Sequence, residues 1–283
     1  MKENHFVFAD ISTYDLSVAK EFYRQVFGWK YQSDGSGYWT ASFKGKDVSG
    51  LYETPQKFKD MGMPSFWMSY MQVNDLEGTV AKAKELGGII EVVETDNPIG
   101  KIALIRDPLG AGFTIYEGDL LNARTANTEN TLVWNELFIS DIQKVKGFYE
   151  GIFNWTIRRG VDARYDILDS KGDNISAIQE LSYEIKGKYE YWAVYFGAKD
   201  PGRIKEKVIA NEGSLLYEEE NFTALADRFG AFFHVIPLDN TGEKGPESEK
   251  STPIPWKAWI GLGFVTLGLL MDWHWLWGIF FLL

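Results

Sequence analysis

Two carboxylates, Asp10 and Glu136, stand at equivalent positions of a chain that repeats itself, and an imidazole, His234, lies in the second copy. Two acids brought close together in an apolar site push at least one pKa upward, the arrangement that suits general acid and base work. His234 would add a group able to carry a proton or orient a substrate. The alternative for either acid is structural: a bond to backbone N–H groups or to a buried arginine such as Arg106. Rings surround these candidates, since 16% of the chain is aromatic. Trp39, Tyr52, Trp67, Tyr116, Trp134 and Trp192 could build a pocket that stacks on a flat ligand, although at that content many of them must be ordinary core.

The elements that must position these groups come in two copies. Residues 15–29 read DLSVAKEFYRQVFGW and residues 141–155 read DIQKVKGFYEGIFNW. Asp15, Phe22, Tyr23, Phe27 and Trp29 thus recur at a constant offset as Asp141, Phe148, Tyr149, Phe153 and Trp155. Farther on, Tyr38 answers to Tyr165, VSGL at 48–51 to ISAI at 175–178, and DPLGA at 107–111 to DRFGA at 227–231. Self-similarity of this kind marks a duplicated unit. The reading is a first module at 1–119, a linker at 120–130, a second module at 131–240, a polar and flexible linker at 241–255 and an apolar segment at 256–283.

In the first module, residues 5–11 alternate as a strand does and 15–27 space apolar side chains as a helix, with Thr13 or Asp15 as cap and Gly28 as stop. Strands are expected at 38–43, 48–52 and 64–73, a helix at 76–86 and a hairpin at 101–106 and 112–117 across the 107–110 turn. The fold class is therefore α+β.

With 29 basic against 40 acidic residues the net charge is −11, which argues against a nucleic-acid partner. The lack of cysteine removes disulfides, thiolate zinc sites and thiol catalysis. There is no P-loop, dinucleotide fingerprint or G-x-S-x-G elbow. The start of the chain lacks the basic and apolar regions of a secretory signal, so the modules are expected in the cytoplasm. Residues 256–283 are almost wholly apolar and carry five tryptophans, with Lys257 and Asp272 as the charged residues. They read as a membrane segment, one helix or a hairpin cut short, turning near Asp272 and His274. The chain is thus expected to be membrane-associated.

The helix block D-L-x-x-A-x-x-F-Y-x-x-V-F-G-W after a first strand, and the D-P-x-G turn before a last one, resemble the vicinal-oxygen-chelate superfamily of glyoxalases, bleomycin-resistance proteins and extradiol dioxygenases. The stretches PSFWMSYMQVNDLEGTVAKAKELGG and WNELFISD are similar to its two-module bacterial branch. The resemblance implies two tandem modules, each of paired βαβββ units forming curved mixed sheets around a cavity. It also implies a divalent cation held by His, Glu or Gln at three strand positions per copy. Counted from the motifs, those positions hold Phe8, Met68 and Thr114 in one copy and Trp134, Ala193 and His234 in the other. One imidazole does not make a metal site.

Residues two away along a strand share a face, so Asp10, Gly112, Tyr116, Glu136, Phe138, Phe232 and Ile236 are expected to point inward with these positions. The expectation is a metal-independent, cofactor-free protein that binds a small, partly apolar or aromatic molecule. Phe8, Trp39, Tyr52, Trp67, Thr114, Tyr116, Trp134 and Phe138 are the candidate ligand contacts. The alternatives are a lyase, isomerase or hydroxylase-like enzyme using Asp10, Glu136 and His234 as acid/base groups, or a metal-dependent glyoxalase or dioxygenase. A homodimer is compatible with either.

Overall fold

The computed structural model describes residues 3–238 except 61, 220 and 221. The segments expected at 241–255 and 256–283 lie outside the described residues.

The first module runs β1 (Phe6–Thr13), α1 (Leu16–Phe27), β2 (Lys30–Ser33), β3 (Trp39–Phe43), β4 (Lys46–Glu53), a short α2 (Gln56–Asp60), β5 (Phe66–Gln72), α3 (Leu76–Glu85), β6 (Ile89–Glu94), β7 (Lys101–Arg106) and β8 (Gly112–Glu117). The second repeats it as β9 (Leu132–Ile139), α4 (Ile142–Phe153), β10 (Thr156–Arg159), β11 (Arg164–Leu168), β12 (Asn174–Glu180), α5 (Tyr183–Lys186), β13 (Tyr191–Ala198), α6 (Pro201–Ala210), β14 (Ser214–Glu219), β15 (Phe222–Ala226) and β16 (Phe232–Pro237).

Each module is one eight-stranded mixed sheet, ordered β2-β3-β4-β1-β5-β8-β7-β6 and β10-β11-β12-β9-β13-β16-β15-β14. At each centre an antiparallel pair, β1 with β5 or β9 with β13, is flanked by parallel neighbours. Strands β2 and β6 carry no clear alternation in sequence. They are edge strands with mostly exposed or half-buried side chains, so the sheet that pairs them, more than a buried face of their own, makes them strands.

The four long helices begin on aspartates. Asp15, Asp75, Asp141 and Asp200 accept bonds from Ser17, Gly78, Gln143 and Arg203 N–H groups at 2.9, 2.9, 2.9 and 3.0 Å, satisfying donors that a helix start leaves free. Helix α1 stops at Gly28 (φ 74°) and α4 at Asn154 (φ 52°), both left-handed.

Alternation along the central strands decides which side chains meet. Ala9, Ile11, Trp67 and Met71 of the first sheet, and Leu137 and Ile139 of the second, belong to two cores that both modules build together. The sheets are thus back to back, with Asn135 Nδ2 donating to Ser69 Oγ at 3.0 Å between them. Helix α1 lies with α6, and α3 with α4, beside this seam. Since each large apolar side chain fully buried is worth about 1.5–3 kcal/mol, cores of this extent make the two modules one folding unit. The opposite faces, carrying Phe8, Met68 and Tyr70 in one module and Trp134, Phe138 and Ala193 in the other, form two separate clusters.

Residues 120–130 connect the modules as an ordered strap. Ala123 and Arg124 N–H groups donate to Val7 O at 2.8 and 3.0 Å, and Leu120 and Leu121 N–H groups donate to the Tyr116 hydroxyl at 3.0 and 3.3 Å. Leu121 and Ala123 pack against the concave cluster of the first module.

Candidate functional site

In the first module Asp10 lies between Gly50 of β4 and Met68 of β5 and is wholly buried. Its Oδ2 accepts from the Tyr70 hydroxyl at 2.7 Å and the Tyr38 hydroxyl at 3.1 Å, while Oδ1 has no hydrogen-bond partner among the described residues. Burial pushes its carboxyl up to about 7, against the downward pull of the two phenols. Tyr52 adds a third ring, stacked on Tyr38 with centroids 6.3 Å apart. Gly50 makes the arrangement possible, because a Cβ there would overlap the Tyr38 hydroxyl.

In the second module Glu136 holds the same place, between Ala177 and Ala193. Arg164 forms a close ion pair with its Oε1, and the Tyr195 hydroxyl donates to Oε2 at 2.6 Å. One step across the sheet, His234 pairs with Tyr195 of β13 and Ala224 of β15. The imidazole is wholly buried among the edges of Tyr195, Phe222 and Phe138, at 4.4, 4.7 and 5.9 Å between ring centroids. Burial alone pulls its pKa down to about 3, so it is neutral near pH 7. Neither ring nitrogen has a hydrogen-bond partner among the described residues, nor does the indole nitrogen of Trp134 in the same cluster.

The two acids expected to act together are therefore held apart. Asp10 and Glu136 point away from the seam on opposite outer faces, because they alternate along β1 and β9 with Ala9, Ile11, Leu137 and Ile139, which build it. His234 shares a site with Glu136 through Tyr195 but not with Asp10. Arg106 binds neither acid; it pairs with Glu91.

Of the expected ligand contacts, Phe8 and Thr114 line the first concave face, Phe8 edge-on to Tyr70 at 5.5 Å and Thr114 paired with Tyr70 across the sheet. Tyr52 faces Asp10, and Trp134 and Phe138 belong to the second. Trp67 lies in the shared core against Tyr23, Trp29 and Phe196, and Trp192 in the other shared core. Trp39 packs on the outside of the core that holds Trp67, beneath Lys20, whose ammonium is 3.2 Å from its ring centroid. Tyr116 spends its hydroxyl on Ile99 O at 2.6 Å and on the strap, so it is a structural tie.

Tyr38, Tyr70, Arg164 and Tyr195 are the contacts not read from the sequence. Tyr70 and Tyr195 are legible by the same count of two, taken from Met68 and Ala193. Tyr38 and Arg164 are not, because the repeat read along the sequence aligns Tyr38 with Tyr165. In the sheets Thr40 pairs with Gly50 as Asp166 pairs with Ala177, which makes Tyr38 the counterpart of Arg164. Tyr165 is turned to the shared core and donates to Glu180 at 3.2 Å.

Two back-to-back sheets of paired βαβββ units, each with a buried acid on its first strand, define a tandem-module protein of the vicinal-oxygen-chelate fold. Residues 4–115, the first module, match the family model of the glyoxalase/bleomycin resistance protein/dioxygenase superfamily. The chain is 28% identical over 243 residues to a Mycobacterium tuberculosis protein provisionally named glyoxylase CFP32, covering 80% of this chain and 92% of that one. It is 27% identical over 255 residues to the anthracycline biosynthesis protein DauV of Streptomyces sp. (strain C5), covering 81% and 91%. Among solved structures, the Mn(II)-bound glyoxalase of Novosphingobium aromaticivorans superposes with a TM-score of 0.60 at 11% identity, over 87% of this chain and 89% of that one. An extradiol ring-cleaving dioxygenase of B. fuscum does so with 0.59 at 14% identity, over 89% and 75%.

The donor set does not fit the divalent ion that this fold family commonly holds. Phe8, Met68, Thr114, Trp134 and Ala193 offer no strong ligand, and Glu136 beside His234 is engaged by Arg164 and Tyr195. Among the described residues no three His, Asp or Glu side chains cluster as a metal site would require.

Proposed function

We propose that the chain is a metal-independent, glyoxalase/bleomycin-resistance-like protein that binds a small, partly apolar or aromatic molecule on the concave face of its second module. The observation that carries this reading is His234, a wholly buried neutral imidazole whose two nitrogens have no hydrogen-bond partner among the described residues. A buried polar group without a hydrogen bond is costly, and a ligand offering one acceptor and one donor would satisfy it. Ala177, Ala193 and Ala224 on neighbouring strands carry small side chains, and Trp134, Phe138, Tyr195 and Phe222 supply ring surface. The names of two relatives, an anthracycline biosynthesis protein and a ring-cleaving dioxygenase, favour a ring-bearing ligand. Residues 256–283 would tether the modules to the cytoplasmic face of a membrane.

The test is a metal assay on the purified chain joined to a thermal-shift screen of small aromatic compounds. The expected result is substoichiometric metal and at least one stabilising compound whose effect vanishes in Ala193→Trp, which fills the site. Stoichiometric iron, manganese, zinc or nickel would overturn it.

Asp10 favours a second reading, a lyase, isomerase or hydroxylase-like activity with this residue as the acid/base group. A buried carboxyl poised at about 7 can take up or release a proton near neutral pH. Asp10→Asn would then abolish turnover while the chain stays folded.

A further inference from the structure

The two modules treat the same buried acid differently, and the difference is one cation. Asp10 and Glu136 occupy the same node of their sheets, each bonded by the tyrosine two residues on from the Met68 or Ala193 position, Tyr70 at 2.7 Å and Tyr195 at 2.6 Å. The strand beyond β4 or β12 then supplies the second contact. In the second module it is Arg164, a guanidinium that neutralises Glu136. In the first it is Tyr38, and no lysine, arginine or histidine among the described residues pairs with Asp10. The groups that act on its charge are Tyr38 before β3, Tyr52 from β4 and Tyr70 from β5, all three phenols.

We propose that Asp10, with Tyr38, Tyr52 and Tyr70, seats the cationic end of a small organic ligand, an ammonium or guanidinium group, where the second module carries its own Arg164. Ring faces attract cations, and most strongly where water is excluded. Asp10 Oδ1 is buried and has no hydrogen-bond partner among the described residues, so one strong acceptor is left for the ligand's N–H. Tyr38 and Tyr52 are half-buried and lie between solvent and Asp10, which is wholly buried. This site is separate from the second-module pocket and does not depend on that reading.

The seat couples binding to a proton. Without a cation the carboxyl is held near 7 by burial. A bound cation stabilises the carboxylate, so the protonated acid must release its hydrogen ion to solvent as the ion pair forms. Affinity therefore rises as pH increases to the carboxyl pKa and levels off above it.

The experiment is isothermal titration of the full chain with benzylamine, and with benzyl alcohol as the neutral analogue, at about pH 6 and about pH 8 in two buffers of different ionisation enthalpy. Benzylamine is expected to bind about tenfold more tightly at the higher pH, with buffer-dependent heat at the lower pH reporting nearly one proton released. Benzyl alcohol should show neither effect. Asp10→Asn, whose amide oxygen can still accept from Tyr38 and Tyr70, should lose benzylamine binding. Tyr38→Arg copies the arrangement of the second module and should block it while keeping the fold, which separates the seat from simple unfolding. Equal affinity for amine and alcohol, no binding of benzylamine by the folded parent at about 10 mM, or unchanged binding in Tyr38→Arg would overturn the proposal.

Discussion

Tyr149 donates its phenolic hydrogen to Asp107 Oδ2 at 2.9 Å across the seam between the modules, and Tyr23 does the same to Asp227 at 3.1 Å. The repeated F-Y pair and the repeated D-x-x-G-A turn thus meet in exchange, each copy closing on the other. The remaining oxygen of Asp107 accepts from Leu109, Gly110 and Ala111 N–H groups at 2.9, 2.8 and 2.9 Å, so the same residue shapes its turn and joins the modules. Burial pushes both aspartates up to about 6.

Tyr149→Phe should destabilise the chain by about 1–3 kcal/mol, the cost of leaving a buried acceptor and the Trp192 indole N–H without their partner. Tyr23→Phe should act in the same direction. Chemical denaturation of both single variants checks this, and a loss below a few tenths of a kcal/mol would show that the clasp is energetically idle.

Asp10 and His234 should tilt stability with pH in opposite directions. Folded Asp10 keeps its proton up to about 7, whereas the unfolded side chain loses it near 3.8; its contribution is full below 3.8 and disappears as pH rises through 7. His234 binds a proton below about 6.5 when unfolded but only near 3 when folded, so its contribution is full above 6.5 and is lost as pH falls toward 3. Relative to the parent, the stability curve of Asp10→Asn should tilt upward with rising pH between about 4 and 6.5, and that of His234→Phe downward. Urea denaturation across that range decides it; parallel curves would contradict both assignments.

Arg164→Ala strips the counter-charge from Glu136, whose side chain is 4% exposed, and should cost about 1–3 kcal/mol, moderated by the partial exposure of the arginine itself. Arg164→Tyr should recover part of this by supplying the phenolic donor that Tyr38 gives Asp10. Thermal melts of the pair of variants test it, with equal losses counting against equivalence of the two positions.

Gly50→Ala should drive the Tyr38 hydroxyl off Asp10, since the new methyl group would occupy its place. One of the two donors to the carboxylate is then gone, and the Asp10 pKa should rise above about 7. Titration of the carboxyl by NMR measures the shift; an unchanged value would mean that Tyr38 contributes nothing to the site.

Much of this molecule is legible along the chain because the relevant physics is local. The helix-starting aspartates, the left-handed stops at Gly28 and Asn154 and the two-residue alternation of β1 and β9 follow from neighbours a few positions away. These suffice to identify the duplicated βαβββ units and to place Asp10 and Glu136 on the same face as Phe8 and Trp134. Edge strands β2 and β6 escape such a reading because their pairing partners, not their own patterns, define them.

What the sequence by itself determined is the repeat, the fold and the side of each strand on which a residue lies. Only the tertiary structure decided that the two modules bury the faces carrying Ala9, Ile11, Leu137 and Ile139 against each other, sending Asp10 and Glu136 to opposite outer faces. It also decided that Arg164, and not Tyr165, is the counterpart of Tyr38. Register across a sheet is set by pairing between distant strands, and a shift of one residue exchanges the face that touches the acid for the face that fills the core.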